Sequence, residues 1–243
     1  MTPCTSNAAF FLLLLCACCV AALACDPIRV HRLYRSCPLG QLEPQLQASP
    51  IDISTAEAVL NPALQPLHRD YTVANATLVD NVFNIALRFD DDGAAGGVRT
   101  DGKVYRLKQM HWHSPSEHTI NGRRFPVELH MVHASDDGNV TVVAMLYRFR
   151  TSWLRCTPRA AERRRAPAQF PPGTLYSHTY YRYVGSFTTP PCTENVVWSV
   201  LAQAAALMAP LEQAYRRNNR PTQPTNGRVV QVYHRFMNKK TAP

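Results

Sequence analysis

Three histidines in two short runs constrain this chain more than any other feature. His111 and His113 stand two apart at the end of the run Lys103-Val-Tyr-Arg-Leu-Lys-Gln-Met-His-Trp-His, whose upstream part reads as β-strand. Side chains two apart on a strand point to the same face. A turn-like insert follows, with Ser114-Pro115 and Asn121-Gly122, and then a second strand-like run from Phe125 to His133. Antiparallel pairing of the two runs would put His130 on the face of His111 and His113. Three imidazoles would converge and leave a fourth position open, the ligand count of a catalytic zinc site rather than a structural one. Zinc in such a site brings the pKa of bound water to about 7. Glu128, two before His130, shares its face and could orient an imidazole through the other ring nitrogen. Glu117, in the connecting segment, could accept a proton-ordering hydrogen bond. A His-x-His pair by itself is usually ordinary core or surface. The third histidine and the interleaved glutamates give the cluster its weight. His118 and His133 gain nothing from this spacing and read as structural hydrogen-bonding residues.

The flanking sequence favours a mainly β domain. From Ile51 onward the pattern is one of short strands. Residues 73–79 alternate loosely, and 82–89 alternate better, with Phe83, Ile85 and Leu87 set against Asn84, Ala86 and Arg88. Residues 140–149 are apolar and β-branched enough for a buried strand. Residues 196–201 and 229–232 add two more. The Ala-rich stretch 201–217 is expected to be helical in part, interrupted by Pro210. Residues 150–172, with six arginines and four prolines, read as a basic surface excursion. Many short strands around one histidine cluster predict a single domain, residues 25–243, on a large twisted, mostly antiparallel sheet with a few peripheral helices. Residues 25–48 read as an irregular arm over its core.

Composition sets further bounds. A chain of 243 residues with 46% hydrophobic and 18% charged residues is globular rather than disordered. Its net charge of +9 fits a basic surface, with a polyanionic partner as the alternative. No nucleic-acid-binding motif accompanies the charge. Ala8 to Ala24 is an unbroken apolar run of 17 residues, short for a membrane span. It reads as a secretory signal, residues 1–24, cut after Ala24, with an uncleaved signal-anchor as the alternative. The mature chain then has no membrane span. It keeps Cys25, Cys37, Cys156 and Cys192, which in an oxidising compartment allow three disulfide connectivities. Asn75-Ala-Thr and Asn139-Val-Thr are glycosylation sequons.

The run His-Trp-His-Ser-Pro-Ser-Glu-His-Thr-Ile-Asn-Gly-Arg-Arg-Phe-Pro-Val-Glu-Leu-His-Met-Val-His at 111–133 resembles the zinc-binding segment of the α-class carbonic anhydrases. Other blocks match that family in the same order: SPID at 49–52, GG at 96–97, DGKVYRLKQ at 101–109, GSFTTPPCTE at 185–194, VVW at 196–198 and NRPTQP at 219–224. The resemblance covers about Ser49 to Gly227, with shortened loops.

It implies a central sheet with zinc at the bottom of a conical cleft, and reversible hydration of carbon dioxide to bicarbonate and a proton. His111, His113 and His130 are the implied zinc ligands, with Gln109 and Glu128 as hydrogen-bond partners of the first and third. Thr188 is the implied hydroxyl that aims the attacking oxygen, Glu117 the carboxylate that fixes it, and Thr189 lines the same wall. Val132, Val142, Phe187, Val196 and Trp198 match the apolar wall for carbon dioxide. Asn81 stands where fast members carry a proton-ferrying histidine, and Asn cannot titrate near neutral pH. Cys37–Cys192 is the disulfide the resemblance favours. Two other readings stand beside catalysis of carbon dioxide hydration. One is a weak or silent secreted member that binds polyanions. The other is zinc-assisted hydrolysis of another small ester or carbonyl compound. Oligomeric state is open.

Overall fold

The computed structural model describes residues 46–80, 84–89, 93–149, 179–202, 205–207 and 218–238. Its strands are β1 (Asp52–Ile53), β2 (Val59–Leu60), β3 (His68–Arg69), β4 (Ala76–Asp80), β5 (Ile85–Phe89), β6 (Gly97–Thr100), β7 (Lys103–His113), β8 (Thr119–Ile120), β9 (Arg123–Arg124), β10 (Val127–Ala134), β11 (Val140–Phe149), β12 (Thr179–Ser186), β13 (Glu194–Leu201), β14 (Ala205–Leu207) and β15 (Gln231–His234). The one helix among the described residues is a single turn, α1 (Arg235–Asn238).

Twelve strands make one sheet in the order β2-β15-β12-β13-β11-β10-β7-β5-β4, with β14 beside β11 and the β3–β6 pair beside β7. A small second sheet joins β1, β8 and β9. Most neighbours are antiparallel, but β11–β13, β11–β14 and β2–β15 are parallel, so the sheet is mixed. The expected large sheet is present, and helix is nearly absent from the described residues.

Among its described residues the Ala-rich stretch holds strand and no helix. β13 runs through Leu201, and Ala205–Leu207 is a strand paired parallel to the end of β11. Alanine's helical preference amounts to tenths of a kcal/mol per residue, and the ladder offered by β11 outweighs it. Residues 208–217 lie outside the described residues.

The sheet is buried on both faces. One face packs Leu107, Leu129, Met131, Val143, Met145, Tyr180 and Tyr233 with Tyr105 and Leu67. The other packs Val132, Val142, Ala144, Leu146, Tyr183, Val196, Trp198 and Val200 with Ile51 and Ile53 of the β1 segment.

A bulge in β7 decides which residues reach which face. His133 pairs with Leu107 while Val132 pairs with Gln109, so Lys108 is the extra residue. Upstream of it, Tyr105 and Leu107 pack into the first core. Downstream, Gln109, His111 and His113 turn to the second. All five have the same parity, so strict alternation would put them on one face. One inserted residue reverses the parity and re-aims the histidines.

Candidate metal centre

The register delivers the histidines. His130 on β10 lies directly opposite His111 on β7, and Glu128 lies opposite His113. Directly opposed residues share a face. The imidazole centroids are 5.0 Å apart for His111–His113, 5.0 Å for His111–His130 and 4.7 Å for His113–His130. Together the three form a group that could hold a metal ion. All are buried.

Each ring uses one nitrogen outward. His111 Nδ1 donates to Gln109 Oε1 at 3.0 Å, His113 Nδ1 to the Asn218 carbonyl at 2.9 Å, and His130 Nε2 to Glu128 Oε1 at 2.8 Å. The acceptors are an amide oxygen, a backbone carbonyl and a carboxylate, so each outer nitrogen carries its ring's proton. The inner nitrogens, His111 Nε2, His113 Nε2 and His130 Nδ1, are left with lone pairs. His113 Nε2 is buried with no hydrogen-bond partner. His130 Nδ1 and His111 Nε2 face each other at 3.2 Å, two acceptors with no proton to share. Zinc–nitrogen bonds of 2.0–2.1 Å in a tetrahedron would separate two ligands by about 3.3 Å. The donor set and its spacing therefore fit a zinc ion.

Electrostatics point the same way. Burial pulls His111 well below the usual imidazole range, helped by His113 and His130, and takes His113 down to about 4. Burial lowers His130 too, against the pull of Glu128. Neutral rings have no proton to shed before they ligate a cation.

Glu128 anchors the back of the cluster. Burial alone would raise its pKa, but His118 and His130 outweigh that and hold the carboxyl well below its ordinary value. Oε1 receives His118 Nδ1 at 2.6 Å as well as His130, and Oε2 receives the backbone N–H groups of Glu117 and His118 at 2.7 and 2.8 Å. His118 Nε2 continues to the Tyr183 hydroxyl at 2.7 Å, and Tyr183 to Ser49 Oγ at 3.0 Å. His118, Glu128 and His130 also form a tight trio of donor atoms. Protons occupy those short contacts, so the trio is a hydrogen-bonded support rather than a second metal site.

Glu117 is fully buried. Its Oε1 accepts the Arg220 N–H at 2.7 Å and lies 3.4 Å from His113 Nδ1. Burial raises its carboxyl to about 7, opposed by His130, the Arg220 N–H and the Thr188 side chain. Oε2 has no partner of hydrogen-bond geometry. Thr188 is thus a neighbour of this carboxyl without a formed bond to it. Thr188 is buried, and Thr189, next to it, is half-buried. Val132, Val142, Val196 and Trp198 form one buried cluster, with Phe187 packed against it. The Trp198 ring meets the His130 ring edge-on at 4.8 Å.

Asn218 and Tyr183 are the site residues that sequence reasoning missed. Asn218 donates its side-chain amide to the Trp112 carbonyl and accepts the Ser114 N–H, besides holding His113. The signal for it was adjacency to the Asn219-Arg-Pro block. For Tyr183 there was only its place two before Gly185-Ser-Phe. Asn81 and Cys37 lie outside the described residues. Cys192 is disulfide-bonded, and its partner lies outside them too.

Comparison with known proteins gives the same picture. The eukaryotic-type carbonic anhydrase family matches residues 36–148 and 151–234. Alpha carbonic anhydrase 7 of Arabidopsis thaliana is 39% identical over 222 residues, covering 82% of this chain and 77% of the relative. Dioscorin DB3L of Dioscorea polystachya is 34% identical, covering 81% of each. Among solved structures, the α-carbonic anhydrase of Thermovibrio ammonificans with sulfanilamide superimposes with a TM-score of 0.62 at 35% identity, covering 82% of this chain and 91% of that one. A dioscorin complexed with ascorbate gives 0.65 at 31% identity, covering 84% and 90%. The chain belongs to the eukaryotic-type, or α-class, carbonic anhydrase family.

Proposed function

We propose that this protein is a zinc-dependent carbonic anhydrase, a lyase that hydrates carbon dioxide to bicarbonate and a proton. The observation that carries this reading is the set of three converging lone pairs, each fixed by an acceptor on the far side of its ring. Bound there, zinc would act as a Lewis acid that makes water a nucleophile at neutral pH. The protein's own residues do the rest. Gln109, Asn218 and Glu128 hold the imidazoles in the tautomers that present lone pairs inward. Glu117 and Thr188 order the proton of the attacking oxygen. Val132, Val142, Phe187, Val196 and Trp198 offer the apolar substrate a wall.

The test is stopped-flow hydration of carbon dioxide on zinc-loaded protein, with metal content measured on the same sample, and again on His113→Ala. Activity that disappears together with the metal supports the proposal. One bound zinc without activity supports the second reading, a silent member that binds polyanions through its basic surface. The likeness to dioscorins keeps that reading in view. The complete histidine set favours catalysis.

We also propose a secreted glycoprotein whose leader, residues 1–24, is removed, with the enzyme domain over 25–243. Asn75 and Asn139 are exposed, as glycan acceptors must be. A Cys37–Cys192 pairing is in keeping with the bonded state of Cys192. Peptide mapping of secreted protein, with and without reduction and deglycosylation, checks these points. Among the described residues no helix is long and apolar enough to cross a membrane.

A further inference from the structure

The strand register lines up one row of side chains across the metal-bearing face. Thr77 on β4 is opposite Arg88 on β5, Arg88 opposite Gln109 on β7, Gln109 opposite Val132 on β10, and Val132 opposite Val142 on β11. Val142 is paired with Trp198 on β13, and Trp198 with Tyr183 on β12. The neighbouring row runs through Ala86, His111, His130 and Ala144. Directly opposed residues share a face of the sheet. Arg88 therefore lies on the same face as the imidazoles, in the row that holds the apolar wall, beside the amide that supports His111.

Arg88 is the one charged residue of that row. It is exposed, as is Thr77 on its other side. It forms no ion pair among the described residues. The glutamates nearest the cluster do not cancel its charge at the surface. Glu128 is fully buried against His118 and His130, and Glu117 is fully buried with Oε1 on the Arg220 N–H. The apolar half of the row, from Val132 to Trp198, gives an anion nothing to bind. The only charge in the row is at one end.

We propose that Arg88 is an anion-recruiting residue of the site, which draws bicarbonate and other small monovalent anions toward the histidine cluster. The proposal rests on the metal-site reading above. Opposed Cβ atoms sit roughly 5 Å apart. With Gln109 between, strand spacing alone would put the guanidinium roughly 10 Å from the inner nitrogens. One unit charge at that range, at a dielectric between that of water and half of it, changes anion affinity about two- to fourfold.

The experiment uses cobalt-loaded full-length protein and thiocyanate as the probe, read by the visible absorption of the metal rather than by activity. Arg88→Gln is expected to weaken thiocyanate binding about two- to fourfold at roughly 0.01 M ionic strength, and the difference should vanish near about 1 M, where screening acts over about 3 Å. Arg88→Lys should retain wild-type affinity. Arg148→Gln, an exposed arginine at the far end of β11, is the control for net charge and should change nothing. Coincident titrations for wild type and Arg88→Gln, or an equal loss in Arg148→Gln, overturn the proposal and leave the metal site standing. Absence of cobalt bands in the wild type overturns the metal site, and the role of Arg88 with it.

Discussion

Replacing Glu128 by Gln tests the link between hydrogen bonding and metal capture most directly. The carboxylate accepts four hydrogen bonds, two on each oxygen. Glutamine can turn its amide in two ways. With the NH2 toward the backbone, donors meet the N–H groups of Glu117 and His118, which cannot change. Two buried donors would be orphaned, at a cost of about 1–3 kcal/mol each. With the NH2 toward the rings, His118 and His130 must offer lone pairs instead. His118 can comply, because the Tyr183 hydroxyl can accept its proton and pass its own to Ser49 Oγ. His130 can comply only by moving its proton to Nδ1, the nitrogen that faces His111 at 3.2 Å. The fold survives in this second arrangement, and the third metal ligand is lost.

Glu128→Gln should therefore separate two properties. The metal-free protein keeps four hydrogen bonds but loses the charge assistance of all four, offset in part by no longer burying a charge, for a net cost of about 1–3 kcal/mol. Zinc affinity falls by about 10–100-fold, as for other partners of ligating histidines. Competition with a chromophoric chelator measures the affinity, and thermal melts with and without chelator measure stability. The gap between those melts should shrink by about 1.4–2.7 kcal/mol at saturating zinc. A zinc affinity within twofold of wild type, with an unchanged metal-free melt, would refute the tautomer argument.

Three further outcomes are expected. A Cβ at Gly185 would collide with Ser49 Oγ and stand 2.7 Å from Tyr183 Cε2 and 3.1 Å from Trp198 Cδ1, so Gly185→Ala should cost about 1–3 kcal/mol in urea unfolding; a neutral result would mean that this corner relaxes freely. His133 is a buried neutral ring, with the Tyr71 hydroxyl at 2.9 Å from Nε2 and the Thr141 carbonyl at 3.3 Å from Nδ1. Burial takes its pKa down to about 4, so between that value and the unfolded one near 6.5 the unfolded chain binds the extra proton, and stability falls as pH drops. By pH 5 His133 alone costs about 2 kcal/mol, and zinc-loaded His133→Gln should lose that much less than wild type between pH 7 and pH 5. On the proposed reading Asn81 takes the shuttle position and proton export should be slow: imidazole-type buffer should raise the hydration rate of wild type, Asn81→His should raise it in dilute buffer, and a fast, buffer-independent wild type would point to another carrier.

The histidine spacing made the site legible because strand periodicity is local. His111, His113 and His130 need only two strands and their register to meet. The five residues proposed as the apolar wall were reached by resemblance, since valines and a tryptophan look the same in any core. The bulge at Lys108 left no mark in the run from Lys103 to His113, where Tyr105 and Leu107 have the parity of the histidines. Only pairing with β10 shows that they face the other core. Asn218 was hidden because it acts through its backbone carbonyl, which any residue type supplies. The strand Ala205–Leu207 was hidden for a related reason, since it exists by grace of a distant edge.

Several of the site's supports come from far along the chain. The acceptor for His113 is 105 residues downstream, the N–H that meets Glu117 is 103 downstream, and Tyr183 follows His118 by 65. During synthesis the histidines leave the ribosome long before these groups exist. A nascent chain that stops short of them lacks the partners that assign the imidazole tautomers. If the cluster holds zinc as proposed, its selectivity is completed only when the final quarter of the chain docks, and an ion picked up earlier would meet a different and less discriminating set of ligands.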